Sequence, residues 1–140
     1  MGVRDLALEG LGAVFATFLI KQTAGVDDLK DADIGKAVTI TANNTVGPAT
    51  DGSVLLGKLV DLSLTDADNG KRVATLQIGG VVNLNLVTPA PVVGNRVVGG
   101  ASGTVKQAPV LTAFDPAGGN IARGTVIAVN GTADCTLILN

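Results

Sequence analysis

The chain contains no histidine, tryptophan or tyrosine, only three phenylalanines and a single cysteine. Each shortage closes off a class of function. Without histidine, a serine or cysteine nucleophile lacks its usual activating base. Histidine is also the common partner of cysteine at zinc, and one thiolate cannot build a zinc site alone. A single cysteine allows no disulfide within the chain. Cys135 sits in the strand-like "CTLILN" and reads as a small buried hydrophobe. Three phenylalanines make a poor platform for stacking sugars or single-stranded nucleic acid.

Charge is also scarce. Charged residues make up 16% of the chain and the formal net charge is -2, whereas a typical soluble domain carries about 25% charged residues. The ten lysines and arginines are scattered, so no basic face exists to neutralise phosphates, and no nucleic-acid partner is expected. The longest apolar run, "LGAVFATFLI" from Leu11 to Ile20, is shorter than the roughly 20 residues that cross a bilayer. Asp5 and Glu9 precede it, where a secretion signal would carry positive charge. The expectation is a mature chain made in the cytoplasm, with no membrane partner.

What the chain does have is valine, leucine, isoleucine and alanine, with 46% hydrophobic residues overall and 19 glycines. This combination favours β structure with tight turns. Its 140 residues suit one domain, which can bury roughly 70% of its unfolded surface. Four segments carry clustered turn residues: "NNTVGPATDG" (Asn43 to Gly52), "TDADNGK" (Thr65 to Lys71), "TPAPVVGN" (Thr88 to Asn95) and "DPAGGN" (Asp115 to Asn120). Between them the apolar period is two. Val38 and Ile40 oppose Thr39 and Thr41. Ala74, Leu76 and Ile78 oppose Thr75, Gln77 and Gly79. Val82, Leu84 and Leu86 alternate with Asn83 and Asn85, and Cys135, Leu137 and Leu139 with Thr136 and Ile138. The run Ser53 to Leu64 reads as one long strand with Val54, Leu56, Val60, Leu62 and Leu64 on one face, and Gly124 to Val129 as another strand. Strands at such spacing predict an all-β fold, a small β-barrel or sandwich.

At the N-terminus, Gly10 and Gly12 weaken a helix by about 1 kcal/mol each, and Val14, Phe15, Thr17, Phe18 and Ile20 prefer a strand. The expected organisation is an extended arm over residues 1–12, then a single β domain over 13–140, with one helical turn near "GVDDLKDAD". The strand around Phe15 to Ile20, and most of "GGVVNLNLV", is apolar on both faces. Such strands need cover on two sides. In a small all-β chain with little charge, other subunits are the expected cover.

An octapeptide occurs nearly twice, as "DADIGKAV" (Asp31 to Val38) and "DADNGKRV" (Asp66 to Val73). A calcium loop would place glycine at position six and glutamate at twelve. Here glycine is one residue early, and Ala42 and Gln77 stand at the twelfth position. A phosphate loop would need an upstream glycine and a Ser or Thr after the Gly-Lys, where Ala37 and Arg72 stand. What remains is folding grammar: aspartate caps a turn, glycine supplies positive φ, and valine begins a buried face. "VGNRVVGG" (Val93 to Gly100) is a looser third version. The acidic cluster Asp27, Asp28, Asp31 and Asp33 reads as a solvated turn. No serine lies in G-x-S-x-G, and the glycine-rich stretches do not form G-x-G-x-x-G before a helix. No catalytic residue, cofactor or metal is expected.

The ordered set "GKLVDLSL…ATLQIGGVV…VGNRVV…GTVIAV…LILN", over about Leu55 to Asn140, resembles the small capsid decoration, or cement, proteins of tailed bacteriophages. The resemblance implies a small barrel of short strands. It also implies a non-enzymatic virion protein, often a homotrimer, on the outer capsid surface, where it bridges neighbouring major capsid proteins. The family supplies no catalytic residue. Val3, Leu6, Leu8 and Leu11 are the candidate capsid-contact residues of the arm, which suits pairing with a neighbour's sheet edge. The competing assignment places these four residues in the domain's own core. The other functional class considered is a small oligomeric β-barrel binding module for a carbohydrate or a peptide edge.

Overall fold

The computed structural model describes residues 11–64, 71–109 and 121–140. Among them are eleven strands: β1 (Val14–Ile20), β2 (Gln22–Thr23), β3 (Val26–Asp27), β4 (Ala37–Ala42), β5 (Thr45–Pro48), β6 (Gly57–Leu62), β7 (Val73–Asn85), β8 (Val97–Gly100), β9 (Thr104–Gln107), β10 (Thr125–Asn130) and β11 (Asp134–Leu139). The protein is all-β, and five of these strands close a small barrel in the order β1-β5-β4-β6-β7 and back to β1. The β1–β5 pair is parallel and the other four pairs are antiparallel.

The length of β7 sets the architecture. Its 13 residues extend roughly 40 Å at about 3.3 Å per residue, more than the barrel needs. Residues Val73 to Gly79 pair with β1 and part of β6. Beyond them, Gly80 to Asn85 pair with β11, which in turn pairs with β10. The hairpin β8–β9 joins this second region through bridges from Leu86 to Val105 and from Val97 to Arg123.

Two apolar clusters result. The barrel interior holds Ile20, Leu29, Val38, Val46, Leu59, Leu62, Ala74 and Leu76. The second cluster gathers Leu55, Val82, Leu84, Val97, Val105, Val126, Cys135 and Leu137, among others. Each fully buried leucine or valine contributes about 1.5–3 kcal/mol. The alternations of Val82/Leu84/Leu86 and Cys135/Leu137/Leu139 expected from sequence are buried as a face.

Other expectations are corrected. The run Ser53 to Leu64 buries Leu55, Gly57 and Leu59, the opposite face from the one its alternation suggested, while Val54 and Leu64 are exposed. Only Gly57 to Leu62 is strand, and a register shift between Leu59 and Asp61 brings Leu62 inward as well. One extra residue in a strand reverses the facing of everything after it. The segment Asn43 to Gly52 is a strand as well as a turn: Asn44 takes φ 53° and Thr45–Pro48 is β5. In β4, Ala37, Val38 and Thr39 are all buried and Ile40 is exposed, so burial follows position along the strand rather than the alternation expected of it, and the ladder to β5 shifts only further on, between Ile40 and Ala42. Val81 and Val82 are both buried, so of the two stretches read as apolar on both faces this chain itself covers Val81 and Val82, while Phe15 and Leu19 of the other stay more than half exposed.

Arg123 ties the two clusters together. Its guanidinium donates to the carbonyls of Leu55 at 3.2 Å, Leu56 and Ile78. Its own backbone exchanges hydrogen bonds with Val97. Burial lowers its pKa from the ordinary arginine value. Replacing Arg123 by methionine keeps the apolar stem but leaves these carbonyls without their donor. The Arg123→Met protein is expected to lose about 2–3 kcal/mol of stability in urea unfolding, the range for buried groups deprived of a charged partner.

Candidate functional site

Strand β1 presents its apolar side chains on two faces. Ile20 is buried and Phe18 packs against the barrel interior. Val14, Phe15 and Leu19 are each more than half exposed, and Leu11 just ahead of them is 64% exposed. The strand is also an incomplete stave. It pairs with β7 along Val14 to Leu19, but with β5 only at Leu19 and Ile20. The amides of Leu19 and Lys21 donate toward β5, to Asn44 at 2.7 Å and Val46 at 2.8 Å. By strand alternation, the amides of Phe15 and Thr17 point the same way. Among the described residues no strand meets them there.

A close backbone crossing fixes the start of this strand. The Leu11 carbonyl accepts the Val81 amide at 3.0 Å. Gly80 takes φ +88°, and a Cβ on it would lie 2.6 Å from the Leu11 oxygen and 2.7 Å from Gly12. The "GG" of "IGGVV" is therefore a crossing point for the chain entering β1. Of the four arm residues named from sequence, Leu11 is exposed beside this crossing. Val3, Leu6 and Leu8 lie outside the described residues.

A second feature lies on the outer face where β4, β5 and the residues after β1 meet. Lys21, Asp28, Thr39, Ile40, Thr41, Gly47, Pro48, Thr50 and Ser53 line a groove of about 350 Å³. Thr39 and Gly47 are direct partners across the β4–β5 ladder, and both are buried. Lys21 Nζ stands 3.9 Å from Asp28 Oδ2, which also accepts from the Thr23 hydroxyl at 3.1 Å. The Thr41 hydroxyl donates to the Thr45 carbonyl, and Ser53 Oγ accepts the Thr50 amide. Sequence reading did not isolate this groove. Its residues are far apart in the chain, and strand register alone brings them together.

The acidic cluster is dispersed among separate partners. Asp27 accepts from Gln22, Asp28 from Thr23, and Asp31 from Arg72 at 2.7 Å. Asp33 accepts from the Lys30 amide at 2.8 Å and pairs with Lys36 at 2.9 Å. Burial alone would raise the Asp33 pKa, but hydrogen bonds from Lys36 and Lys30, with their charges, bring it below the usual aspartate value. The first octapeptide thus begins as a capped 3-10 turn over Asp31–Asp33, followed by Gly35 at φ +99° and the buried Val38. In the second copy, Asp66 to Gly70 lie outside the described residues. Its Arg72 reaches back to Asp31 of the first, so the two copies meet at an ion pair.

Comparison of the chain with known protein families, with characterised proteins and with solved structures gives no match.

Cys135 is 1% exposed. Burial, with a smaller contribution from the charge of Asp134, pushes its thiol up to about 12 from 9.0. A raised folded pKa favours the protonated thiol, so this stabilisation is complete below about pH 9 and is lost as pH rises toward about 12. The native protein is expected to resist a thiol reagent at pH 8 and to react fully in urea. Labelling followed by mass spectrometry checks this directly.

Proposed function

We propose that this chain is a non-enzymatic structural virion protein. In this reading it decorates a tailed-phage capsid, stabilises it by bridging neighbouring major capsid proteins, and acts as a homotrimer on the outer surface after synthesis in the host cytoplasm. The observation that carries the reading is the incomplete stave β1. It combines exposed Val14, Phe15 and Leu19 with a backbone edge that meets no strand among the described residues. An edge of this kind receives an extended segment through main-chain hydrogen bonds, while neighbouring side chains supply apolar contact. Phe15 and Leu19, already half covered, each gain about 1 kcal/mol from full burial. That is weak for one contact and sufficient when many copies bind one shell.

The sequence of the arm fits the same role. Val3, Leu6, Leu8 and Leu11 precede β1 directly, so an arm engaging a capsid protein leads straight into the exposed face. The low charge content also suits a molecule whose surface is largely covered after assembly, because charged groups are depleted from interface cores.

Removing residues 1–12 is expected to weaken decoration of expanded capsids from its own phage by at least tenfold in co-sedimentation, and full-length decoration by the truncated chain would defeat the arm assignment. Phe15→Glu, a change at an exposed position, is expected to abolish decoration while leaving the circular dichroism spectrum and urea midpoint nearly unchanged. Light scattering should return the mass of a trimer. A monomer with no affinity for capsids would overturn the reading.

A further inference from the structure

We propose that the groove on the β4–β5 face binds a neutral polyhydroxylated ligand, a single saccharide unit. This goes beyond the capsid reading and does not depend on it.

The strongest observation is Thr39. The residue is only 6% exposed, and among the described residues its hydroxyl has no hydrogen-bond partner. No side-chain polar atom among those residues is both sealed from solvent and unbonded. The Thr39 hydroxyl therefore keeps access to solvent, and the residue lines the groove. A hydroxyl bonded to no other described group of the protein is free to exchange solvent for a ligand hydroxyl, as donor and as acceptor.

The floor beside it is kept clear by glycine. Gly47 faces Thr39 across the ladder. A Cβ there would come within 3.3 Å of Thr41 Cγ2 and 3.7 Å of Lys21 Cβ, so any side chain at this position fills the cleft. The volume, about 350 Å³, lies at the small end of ligand sites and suits one sugar ring.

The rim selects the chemistry. Lys21 and Asp28 stand 3.9 Å apart. The carboxylate repels an anion approaching the lysine, and the ammonium repels a cation approaching the aspartate. Together they offer donors and acceptors with little net charge, which is what a set of ligand hydroxyls requires. No aromatic ring lines the groove, so stacking contributes nothing and the affinity is millimolar.

The test is a titration of the ¹⁵N-labelled full chain with glucose, galactose and N-acetylglucosamine, with inorganic phosphate and an alanine tripeptide as the other arms. Saturable shifts at Thr39, Gly47 and Ser53 with at least one sugar, at a Kd of about 1–20 mM, are expected, and none with phosphate or the tripeptide. Thr39→Val should weaken binding about tenfold, and Gly47→Ala should abolish it. Should Gly47→Ala disturb the fold, Lys21→Ala, at an exposed rim position, is expected to weaken binding severalfold with unchanged spectral dispersion. No saturable shift with any of the three sugars up to ~100 mM overturns the proposal. So does saturable binding of phosphate or the tripeptide in their place, or sugar binding that Thr39→Val leaves intact.

Discussion

Two apolar interiors in this chain share a single strand, and the division of β7 between them constrains most of what surrounds it. Its first half closes a barrel against β1 and β6, and its second half carries β11 and β10. The join falls at Gly79 and Gly80, where the chain leading into β1 crosses so closely that a side chain on Gly80 would strike it. Arg123 reinforces the same junction, holding carbonyls from the approach to β6 and from β7. A cation spent on main-chain acceptors at this seam joins the two interiors where apolar contact alone would leave buried carbonyls unbonded.

Closing a barrel from so few strands leaves its staves unequal. Strand β5 has four residues and reaches β1 only at Leu19 and Ile20, so among the described residues no strand pairs with that edge of the earlier part of β1. Natural sheets usually blunt such edges with charge, proline or a covering segment. Here the unpaired part of the strand carries the exposed Val14 and Phe15, with a lysine only after the strand has ended. The short β5 also shapes the other face, because Gly47 and Pro48 at its end open the groove beside Thr39. One truncated strand thus gives the barrel both its apolar margin and its polar cleft.

Much of this was legible in the residues. The period-two runs at Val82 to Leu86 and Cys135 to Leu139 gave strands with the correct buried faces, because each is regular along its length. The capped turn before Val38 could be read because its causes are local. Features that depend on pairing were not legible. The Ser53 to Leu64 face was inverted, since Leu55 is buried before β6 begins and the shift between Leu59 and Asp61 depends on the partner strand. Strand β5 lay hidden inside a stretch whose glycine and proline signal turns. The groove and the Arg123 clamp join residues distant in the chain, and no spacing rule spans such gaps.

The antiparallel pairing of β1 with β7 carries a consequence for biosynthesis. β1 is the earliest barrel stave to leave the ribosome, yet its long antiparallel partner, Val73 to Gly79, is made only after every other stave. Throughout that interval Phe15, Phe18 and Leu19 travel without their mate, in the condition that draws chaperones and invites aggregation. The first stave of this barrel can take its place only once the last has been made.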